Sequence, residues 1–316
     1  MVEDIITGLS RIRGLFVIAR NSSFTYKGRA VDVKQVGREL GVRYLLEGSV
    51  RKSANRVRIA GQLIDASSGA HLWADRFEGA IEDVFELQDQ VTAKVVGAIA
   101  AAYAAAASCF SMRKSSGWVI DREQEMAEAK RLARLAVQLG KDDATALCFA
   151  GYALAYVGRE LDDGAAFLDR TLLINPNLAL GWSTGGFAKV WLGEPDRAIE
   201  RFAHAMRLSP LDPFTYWMQE GMAHAHFFAG RHDEAVIWAR MALRELPHSH
   251  TALRVAAASC ALAGRDGEAK RLTARLLEID PALRISSLLQ NVLGPYRQPE
   301  HPAKYANALR KTGLPE

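Results

Sequence analysis

Two pairs of histidines are the residues of this chain whose type and spacing come closest to metal chemistry. His248 and His250 flank one residue in a predicted turn and could supply two zinc ligands, but no cysteine or further histidine lies near them in the sequence. His224 and His226 are two residues apart on a predicted helix, where their side chains point about 200° apart around the axis. Such a pair cannot chelate one ion, so we predict no metal site.

Motifs for catalysis and for phosphate binding are equally scarce. Cys109, Cys148 and Cys260 lie far apart within predicted helices, which is typical of reduced, buried thiols rather than of a disulfide framework. The sequence contains no Walker-type phosphate loop, no Gly-x-Gly-x-x-Gly turn and no His-Glu-x-x-His helix. We therefore predict no catalytic residue, no cofactor and no enzymatic activity for this chain.

Charge is distributed unevenly along the 316 residues, whose net charge is +4. Residues 1–64 hold twelve Lys or Arg against five Asp or Glu, whereas residues 65–90 hold seven acids and one base. Two interpretations remain open: the basic region binds a nucleic acid, or the two regions neutralise each other within one small domain. A solvated edge is favoured over a nucleic-acid patch for the basic residues that flank a predicted hairpin turn. These are Arg51, Lys52, Arg56 and Arg58.

A spacing of about 34 residues dominates the second half of the chain. Small, aromatic and proline residues recur there at the intervals of a tetratricopeptide repeat, which is a unit of two helices. The first such set is Trp182, Gly186, Ala198, Phe202, Ala205 and Pro210. The tract Gly193, Ala198, Ala205, Pro210 reappears as Gly230, Ala235, Ala242, Pro247 and as Gly264, Ala269, Leu276, Pro281. Small residues allow close helix contacts, and each proline ends a second helix because it has no N–H to donate.

This register predicts an all-α solenoid with four to five helix pairs. Its helices are predicted over residues 121–139, 147–157, 161–173, 178–192, 196–208, 216–228, 233–245, 250–263 and 266–279. The first helices of such pairs line a concave groove, whose usual occupant is a protein or peptide. Repeat position selects five candidate groove residues: Tyr152, Tyr156, Lys189, Met218 and Arg254.

The first hundred residues follow other periods. Apolar spacing predicts a helix over residues 4–12, and the short apolar run at 15–19 predicts a buried strand. Further elements are predicted as a helix over residues 31–40, strands over 44–50, 56–65 and 70–77, and a helix over 82–100, whereas 98–112 and 121–139 are predicted as the two helices of an atypical first repeat. We therefore expect a small α/β domain in front of the repeats.

Five segments of this first region resemble a known domain family. They are EDII at residues 3–6, FVIARNSSF at 16–24, VGRELGVRY at 36–44, LEGSVR at 46–51 and HLWADRF at 71–77. On these residues the region is similar to the TolB-like domain that precedes tetratricopeptide arrays. It is more closely similar to the region between the catalytic and repeat parts of certain bacterial class III adenylate cyclases. The resemblance implies a domain pairing but no reaction, because the cyclase catalytic domain has no counterpart here.

Together these observations predict a TolB-like α/β domain in residues 1–97, tetratricopeptide repeats in 98–285 and a helical cap in 286–316. The relatives that the resemblance names carry an earlier strand, so we expect the first strand of the sheet to be missing. No secretory signal is visible at the N-terminus. The apolar stretch 95–110 is mostly alanine and too short for a membrane span, so we expect a cytoplasmic protein.

The predicted function is a non-catalytic interaction and regulatory module of a signalling system. The resemblance implies the C-terminal regulatory part of adenylate cyclases, with a cyclase catalytic domain as one expected partner. Two alternatives remain open. The chain is one part of a split adenylate cyclase that acts in cyclic AMP synthesis, or it is a nucleic-acid-binding regulator that uses its basic first 64 residues.

Overall fold

The computed structural model describes residues 5–6, 9–10, 16–18, 20–26, 28–29 and 31–316. The chain separates into two compact units, Met1–Tyr103 with Gln138–Gly140, and Ala104–Val137 with Lys141–Glu316. The first unit contains a small antiparallel sheet, and the second is helical.

A three-stranded antiparallel sheet organises the first unit. Its strands are β1 (Tyr44–Ser53), β2 (Arg56–Asp65) and β3 (His71–Ala80), in the spatial order β1-β2-β3. Val57 and Ile59 of the central strand are buried, whereas Arg56 and Arg58 are exposed, as expected where one face of a sheet is covered. This meander confirms the three strands predicted over the same part of the sequence.

Helices α1 (Arg20–Phe24) and α2 (Val33–Leu40) lie between residues 16–18 and the sheet. The side chain of Asp32 caps α2 by accepting a hydrogen bond from the N–H of Lys34. Gly41 ends the helix in the left-handed conformation with φ of 64°, which glycine adopts without steric cost. Local capping residues therefore fix both ends of α2, as its sequence predicts.

The predicted first strand, over residues 15–19, is wrong in the part that the structure describes. Residues 16–18 belong to no strand, and Phe16 is 82% exposed; residues 15 and 19 lie outside the described residues. A short apolar run does not distinguish a strand from a loop, and none of the three described strands pairs with residues 16–18. Of the helix predicted over residues 4–12, only four residues are described, and all four are helical.

One long helix, α3 (Val84–Ser115), follows the sheet. The sequence predicts two helices here, over residues 82–100 and 98–112. The 32 residues stay in one helix because no proline interrupts them and the alanine-rich middle favours this conformation. Among the described residues it is the one helix long and apolar enough to cross a membrane. That is weak evidence for a span, since the core helix of a soluble protein passes the same test.

Helix α4 (Arg122–Leu139) leads into four helix pairs, which form the main body of the second unit. They are α5 (Ala144–Tyr156) with α6 (Leu161–Ile174), α7 (Ala179–Leu192) with α8 (Pro195–Leu208), α9 (Thr215–Phe228) with α10 (His232–Glu245), and α11 (His250–Leu262) with α12 (Asp266–Ile279). These bounds confirm the predicted helices to within a few residues. The chain therefore carries a tetratricopeptide-type array.

Each pair turns at a residue in the left-handed conformation, two positions before its second helix begins. Gly193, Gly230 and Gly264 occupy this position with φ of 81°, 78° and 74°. Arg159 takes the equivalent position in the first pair, with φ of 58°. A residue with a Cβ atom pays about 1–2 kcal/mol for this conformation, so the arginine departs from the pattern at an energetic cost.

Close packing between the pairs depends on residues without bulk. Phe202 of α8 is fully buried between Gly186 of α7 and Gly221 of α9. A Cβ atom on Gly186 would lie 2.8 Å from the Phe202 ring, and one on Gly221 would overlap it. Ala198 and Ala205, on the same helix as Phe202, are also fully buried. These contacts explain the recurring small residues of the repeat.

The chain ends in the helical turn α13 (Ile285–Ser287), a π-helical turn over Leu288–Val292 and the helix α14 (Glu300–Lys311). This is the region over which the sequence predicts a helical cap. Helix α14 does pack on α11, and the hydroxyl of Thr273 donates to that of Thr312 (2.7 Å). The residues before α14 instead extend to the first two helix pairs, because those pairs also present apolar surface that needs a cover.

Replacing glycine by alanine should have opposite effects at two helical positions. Gly221→Ala puts a methyl group into the space of the Phe202 ring, so we expect the free energy of unfolding to fall by about 1–3 kcal/mol. Gly267→Ala in α12 meets only the flexible end of Arg271, so the same change should raise it by about 0.5–1 kcal/mol. Denaturant unfolding measures both, and equal effects would contradict the packing described here.

Candidate functional site

The first helices of the four pairs, α5, α7, α9 and α11, contact one another in order and form a surface that we call the inner face. These helices have almost no solvated side: ten residues of α7 and ten of α9 are buried, out of fourteen in each. The second helices α8 and α12 bury three residues each. A helix that is buried all round is covered on every side, so another part of the chain must lie on the inner face.

That cover is residues 285–316, which we call the C-terminal segment. The hydroxyl of Tyr156, at the end of α5, donates to the carbonyl of Val292 (2.7 Å). The backbone N–H of Arg297 donates to the carbonyl of Trp191 near the end of α7 (2.8 Å). The inner face therefore holds this part of the chain by its backbone atoms, which is how many domains hold an extended peptide ligand.

The C-terminal segment packs closely against Trp191 of α7. Its ring stacks on that of Tyr156, with centroids 5.2 Å apart and planes 12° apart. Gly294 lies so near the indole that a Cβ atom at this position would overlap the ring. Three residues later the guanidinium group of Arg297 forms an ion pair with Asp162 of α6. At this part of the inner face, the bound segment therefore has a glycine beside the Trp191 ring and a cation three residues later.

The end of the C-terminal segment covers the inner face at α9. Tyr305 of α14 is fully buried and meets Phe227 edge to face, with centroids 5.2 Å apart. His301 packs on Phe228, with centroids 4.8 Å apart. The same segment therefore contacts α5, α7, α9 and α11, so that all four first helices are covered.

A polar cluster is buried on α9 and α11 beneath this cover. The hydroxyl of Ser249 donates to a carboxyl oxygen of Glu220. Arg254 is 4% exposed and donates to the hydroxyl of Thr251 (3.1 Å). Within residues 31–316, no carboxylate lies within ion-pair distance of this guanidinium group. The cluster therefore combines one acid and one base that do not neutralise each other by direct contact.

Burial changes the protonation of this cluster. Loss of solvent raises the pKa of Glu220 to about 7, although the Ser249 hydroxyl and the charge of Arg254 act in the opposite direction. Burial likewise lowers the pKa of His224 to about 4, against the effect of its hydrogen bond to the Glu220 carbonyl. His224 is therefore neutral at pH 7, and Glu220 holds a proton far more readily than an exposed glutamate does.

Four of the five predicted groove residues lie on the covered inner face. Tyr156 contacts the C-terminal segment directly, and Tyr152 packs against Tyr156 with ring centroids 5.6 Å apart. Met218 and Arg254 are buried on α9 and α11. The protein's own C-terminal segment therefore fills the surface on which these four residues lie.

Lys189, the fifth predicted residue, belongs to a different cleft. Its ammonium group forms an ion pair with Glu194 at the turn of its own pair (3.2 Å). The cleft has a volume of about 360 Å³ and is lined by Trp182, Lys189, Arg197, Glu200, Arg201, His204 and Arg207. Arg197 also pairs with Glu194 (3.0 Å), and Arg201 pairs with Asp169 (2.5 Å). Because most of its charges are paired already, we assign no ligand to this cleft.

Residues 181–185 (GWSTG) match the Gly-x-Ser-x-Gly pattern of a nucleophile elbow, in which a strained turn after a strand presents the serine. Here the five residues lie inside α7. Ser183 is 1% exposed, and its hydroxyl donates to the carbonyl of Ala179 (3.1 Å). A buried serine within a helix cannot reach a substrate, so the pattern arises by chance.

The histidines and cysteines singled out in the sequence do not come together. His224 is buried on the inner face, whereas His226 is only half-buried. No three or more His, Cys, Asp or Glu residues in the described part of the chain are grouped so as to hold a metal ion. All three cysteines are free, and Cys109 is exposed on α3, which corrects the expectation that every thiol is buried.

The basic residues of the hairpin are partly neutralised within the sheet. Arg56 and Arg58 of β2 both form ion pairs with Glu78 of β3, at 3.2 and 2.6 Å. Arg51 and Lys52 of β1 are exposed. Two members of the cluster are thus committed to an acid from the neighbouring acidic stretch, which favours neutralisation within the domain over a nucleic-acid surface.

The helix pairs define an array of the tetratricopeptide type, although no family model matches the chain. A curated protein, putative adenylate cyclase 3 of Rhizobium meliloti (strain 1021), is 60% identical over 99 residues. The match spans 31% of this chain and 17% of the length of that protein.

Several solved structures are similar to this chain at low identity. PilW, described as a widely conserved type IV pilus biogenesis factor, has 17% identity and a TM-score of 0.47, over 65% of this chain and 90% of PilW. MamA has 15% identity and a TM-score of 0.39, over 57% and 92%. YrrB, described as a TPR protein with an unusual peptide-binding site, has 19% identity and a TM-score of 0.39, over 57% and 90%.

Replacing Glu220 by glutamine should change how stability depends on pH. The pKa of Glu220 rises from 4.5 to about 7 on burial, so the folded protein binds this proton more tightly than the unfolded chain does. The free energy of unfolding of wild type therefore falls as the pH rises from 4.5 to about 7. Glu220→Gln stays neutral at every pH, while His224 titrates in both proteins. We therefore expect the variant to gain about 2–3 kcal/mol over wild type between pH 5 and pH 8, measured by urea unfolding. A difference independent of pH would contradict the burial of this carboxyl group.

Proposed function

We propose that this chain is a non-catalytic protein-interaction module whose inner face binds an extended peptide segment, and that its own C-terminal segment is a displaceable occupant of this site. One observation carries the proposal. The hydroxyl of Tyr156 and the carbonyl of Trp191 bond to backbone groups of Val292 and Arg297, so any chain with the same backbone path can make these bonds. Specificity then comes from the contact of Gly294 with Trp191 and from the ion pair to Asp162.

We further propose a regulatory role next to an adenylate cyclase catalytic domain, in the cytoplasm. The sequence resemblance of the first region to class III cyclases supports this role, as does the 60% identity to part of a protein named as a putative cyclase. The TolB-like identity of residues 1–97, the repeats of residues 98–285 and the final segment 286–316 are parts of the same proposal.

A glycine variant and a peptide test the displaceable occupant. Gly294→Val puts side-chain atoms into the Trp191 ring and should expel the C-terminal segment from the full chain. A labelled peptide of residues 286–298 should then bind this variant at least about tenfold more tightly than wild type, because its site is vacant. The matched control is the same peptide carrying Gly294→Val, which should bind neither protein.

A second measurement covers the case in which the variant unfolds. Hydrogen exchange on the wild-type chain should show the backbone of residues 288–298 opening at a lower free energy than helices α7–α12. If these residues exchange only with global unfolding, and the peptide binds neither protein, the C-terminal segment is a fixed part of the fold and the proposal fails.

We propose that the chain itself catalyses no nucleotide cyclisation. A cyclase stabilises the charge of phosphoryl transfer with carboxylate-bound metal ions, and no three or more His, Cys, Asp or Glu residues in the described part of the chain are grouped so as to hold one. The full chain given ATP or GTP with magnesium or manganese should therefore form no cyclic nucleotide above a blank. Reproducible turnover that disappears when one carboxylate is replaced would overturn this part of the proposal.

A further inference from the structure

Three basic residues line one cavity at the end of the inner face, next to α5. Lys114 of α3 is 6% exposed. Its ammonium group donates to the backbone carbonyl of Tyr156 (2.5 Å) and lies 4.3 Å from the centre of the Tyr156 ring. Arg122 is the first residue of α4, and Arg159 lies in the turn between α5 and α6. With other residues, these three line a cavity of about 20 Å³. Its remaining wall includes Gln290 and Asn291 of the C-terminal segment.

These cations have no counter-charge of their own. Glu125 also lines the cavity, but its carboxylate oxygens are taken by Arg113 (2.7 and 3.1 Å) and by the backbone N–H of Ile120 (3.1 Å). For residues 31–316, no ion pair joins Lys114, Arg122 or Arg159 to an acid. Burial, and then the nearby charges of Arg159 and Arg122, lower the pKa of Lys114 to about 7. Within residues 31–316 the site therefore places the exposed guanidinium groups of Arg122 and Arg159 beside the buried amine of Lys114, with no acid paired to any of the three.

The backbone at Arg159 gives an independent reason to assign a ligand here. The other three helix pairs have glycine at this left-handed position, whereas Arg159 holds φ of 58°. A strained conformation held by a non-glycine residue costs about 1–2 kcal/mol and concentrates at functional sites. The side chain of Arg159 thus has a role that a glycine at this turn cannot fill.

We propose that the partner peptide carries an aspartate or glutamate where the C-terminal segment has Gln290 and Asn291, and that Lys114, Arg122 and Arg159 bind its carboxylate. A cavity of about 20 Å³ admits one oxygen atom of such a group. Gln290 and Asn291, which line the same cavity, carry neutral amides. An acidic segment therefore has an advantage over the resident one in charge complementarity. This inference rests on the proposed function, because it names the chemistry of the partner for the same inner face.

The first test is made within the full chain. Asn291→Asp keeps the shape of the side chain and supplies the carboxylate, so we expect the thermal midpoint to rise by about 2–4 °C at low salt. The rise should shrink in 0.5 M salt, because screening weakens the attraction. Asn177→Asp, in the exposed turn before α7, changes the net charge by the same amount and is the matched control. Equal responses of the two variants would overturn the inference.

Arg159→Gly separates the role of the charge from that of the fold. Glycine suits the left-handed turn, so this variant should fold at least as stably as wild type. In this background the gain from Asn291→Asp should fall by half or more, since one of three cations is gone. A gain that is unchanged in the Arg159→Gly background would show that the cations do not bind the carboxylate.

The second test uses free peptides and the Gly294→Val chain. A peptide of residues 286–298 with Asn291→Asp should bind about tenfold more tightly at low salt than the peptide with asparagine, and Arg159→Gly in the protein should remove this preference. Equal binding of the two peptides would overturn the acidic preference while leaving the proposed function intact. Binding of neither peptide would reject the proposed function, and the measurement on the full chain would still decide whether the cations bind a carboxylate.

Discussion

An apolar surface that cannot remain in water determines the structure of the repeat half of this protein. The first helices of the pairs are buried all round, whereas the second helices bury a single stripe. In a solenoid with an open groove, the first helices would present polar side chains to the solvent. Here α7 presents Trp191 instead, and the C-terminal segment covers it. The position of that segment, the burial of its contacts and the character of the site all depend on this surface.

Much of this fold could be predicted from the sequence, because its determinants are local. The bounds of the repeat helices follow from the spacing of small residues. Asp32 and Gly41, which directly flank α2, mark its two ends. The site could not be predicted in the same way. The bond from Tyr156 to Val292 joins residues 136 positions apart, and no period relates them. The lack of a polar side on the first helices was the one available signal, and repeat position alone cannot show whether a groove is open or filled.

Charge illustrates the same limit in two opposite ways. The basic and acidic stretches of the first unit look like an asymmetry in the sequence, but Arg56 and Arg58 share Glu78 across the sheet. Lys114, by contrast, comes from an alanine-rich helix of unremarkable composition and reaches two arginines only through folding. The distribution of charge along the sequence therefore overestimates the free charge of the hairpin cluster and does not reveal the cluster at Lys114. Ion pairing depends on neighbours across strands and helices, which the sequence order does not give.

A resident peptide that is joined to its own receptor changes the meaning of affinity. Residues 280–284 tether the C-terminal segment to the end of α12, and a short tether holds its occupant at an effective concentration on the order of millimolar. A free competitor must overcome this local excess before it occupies half of the sites. Weak ligands in dilute solution therefore leave the inner face unchanged. Tight ligands, or ligands attached to the same assembly, exchange with the segment. The tether therefore prevents weak, freely diffusing ligands from occupying the inner face.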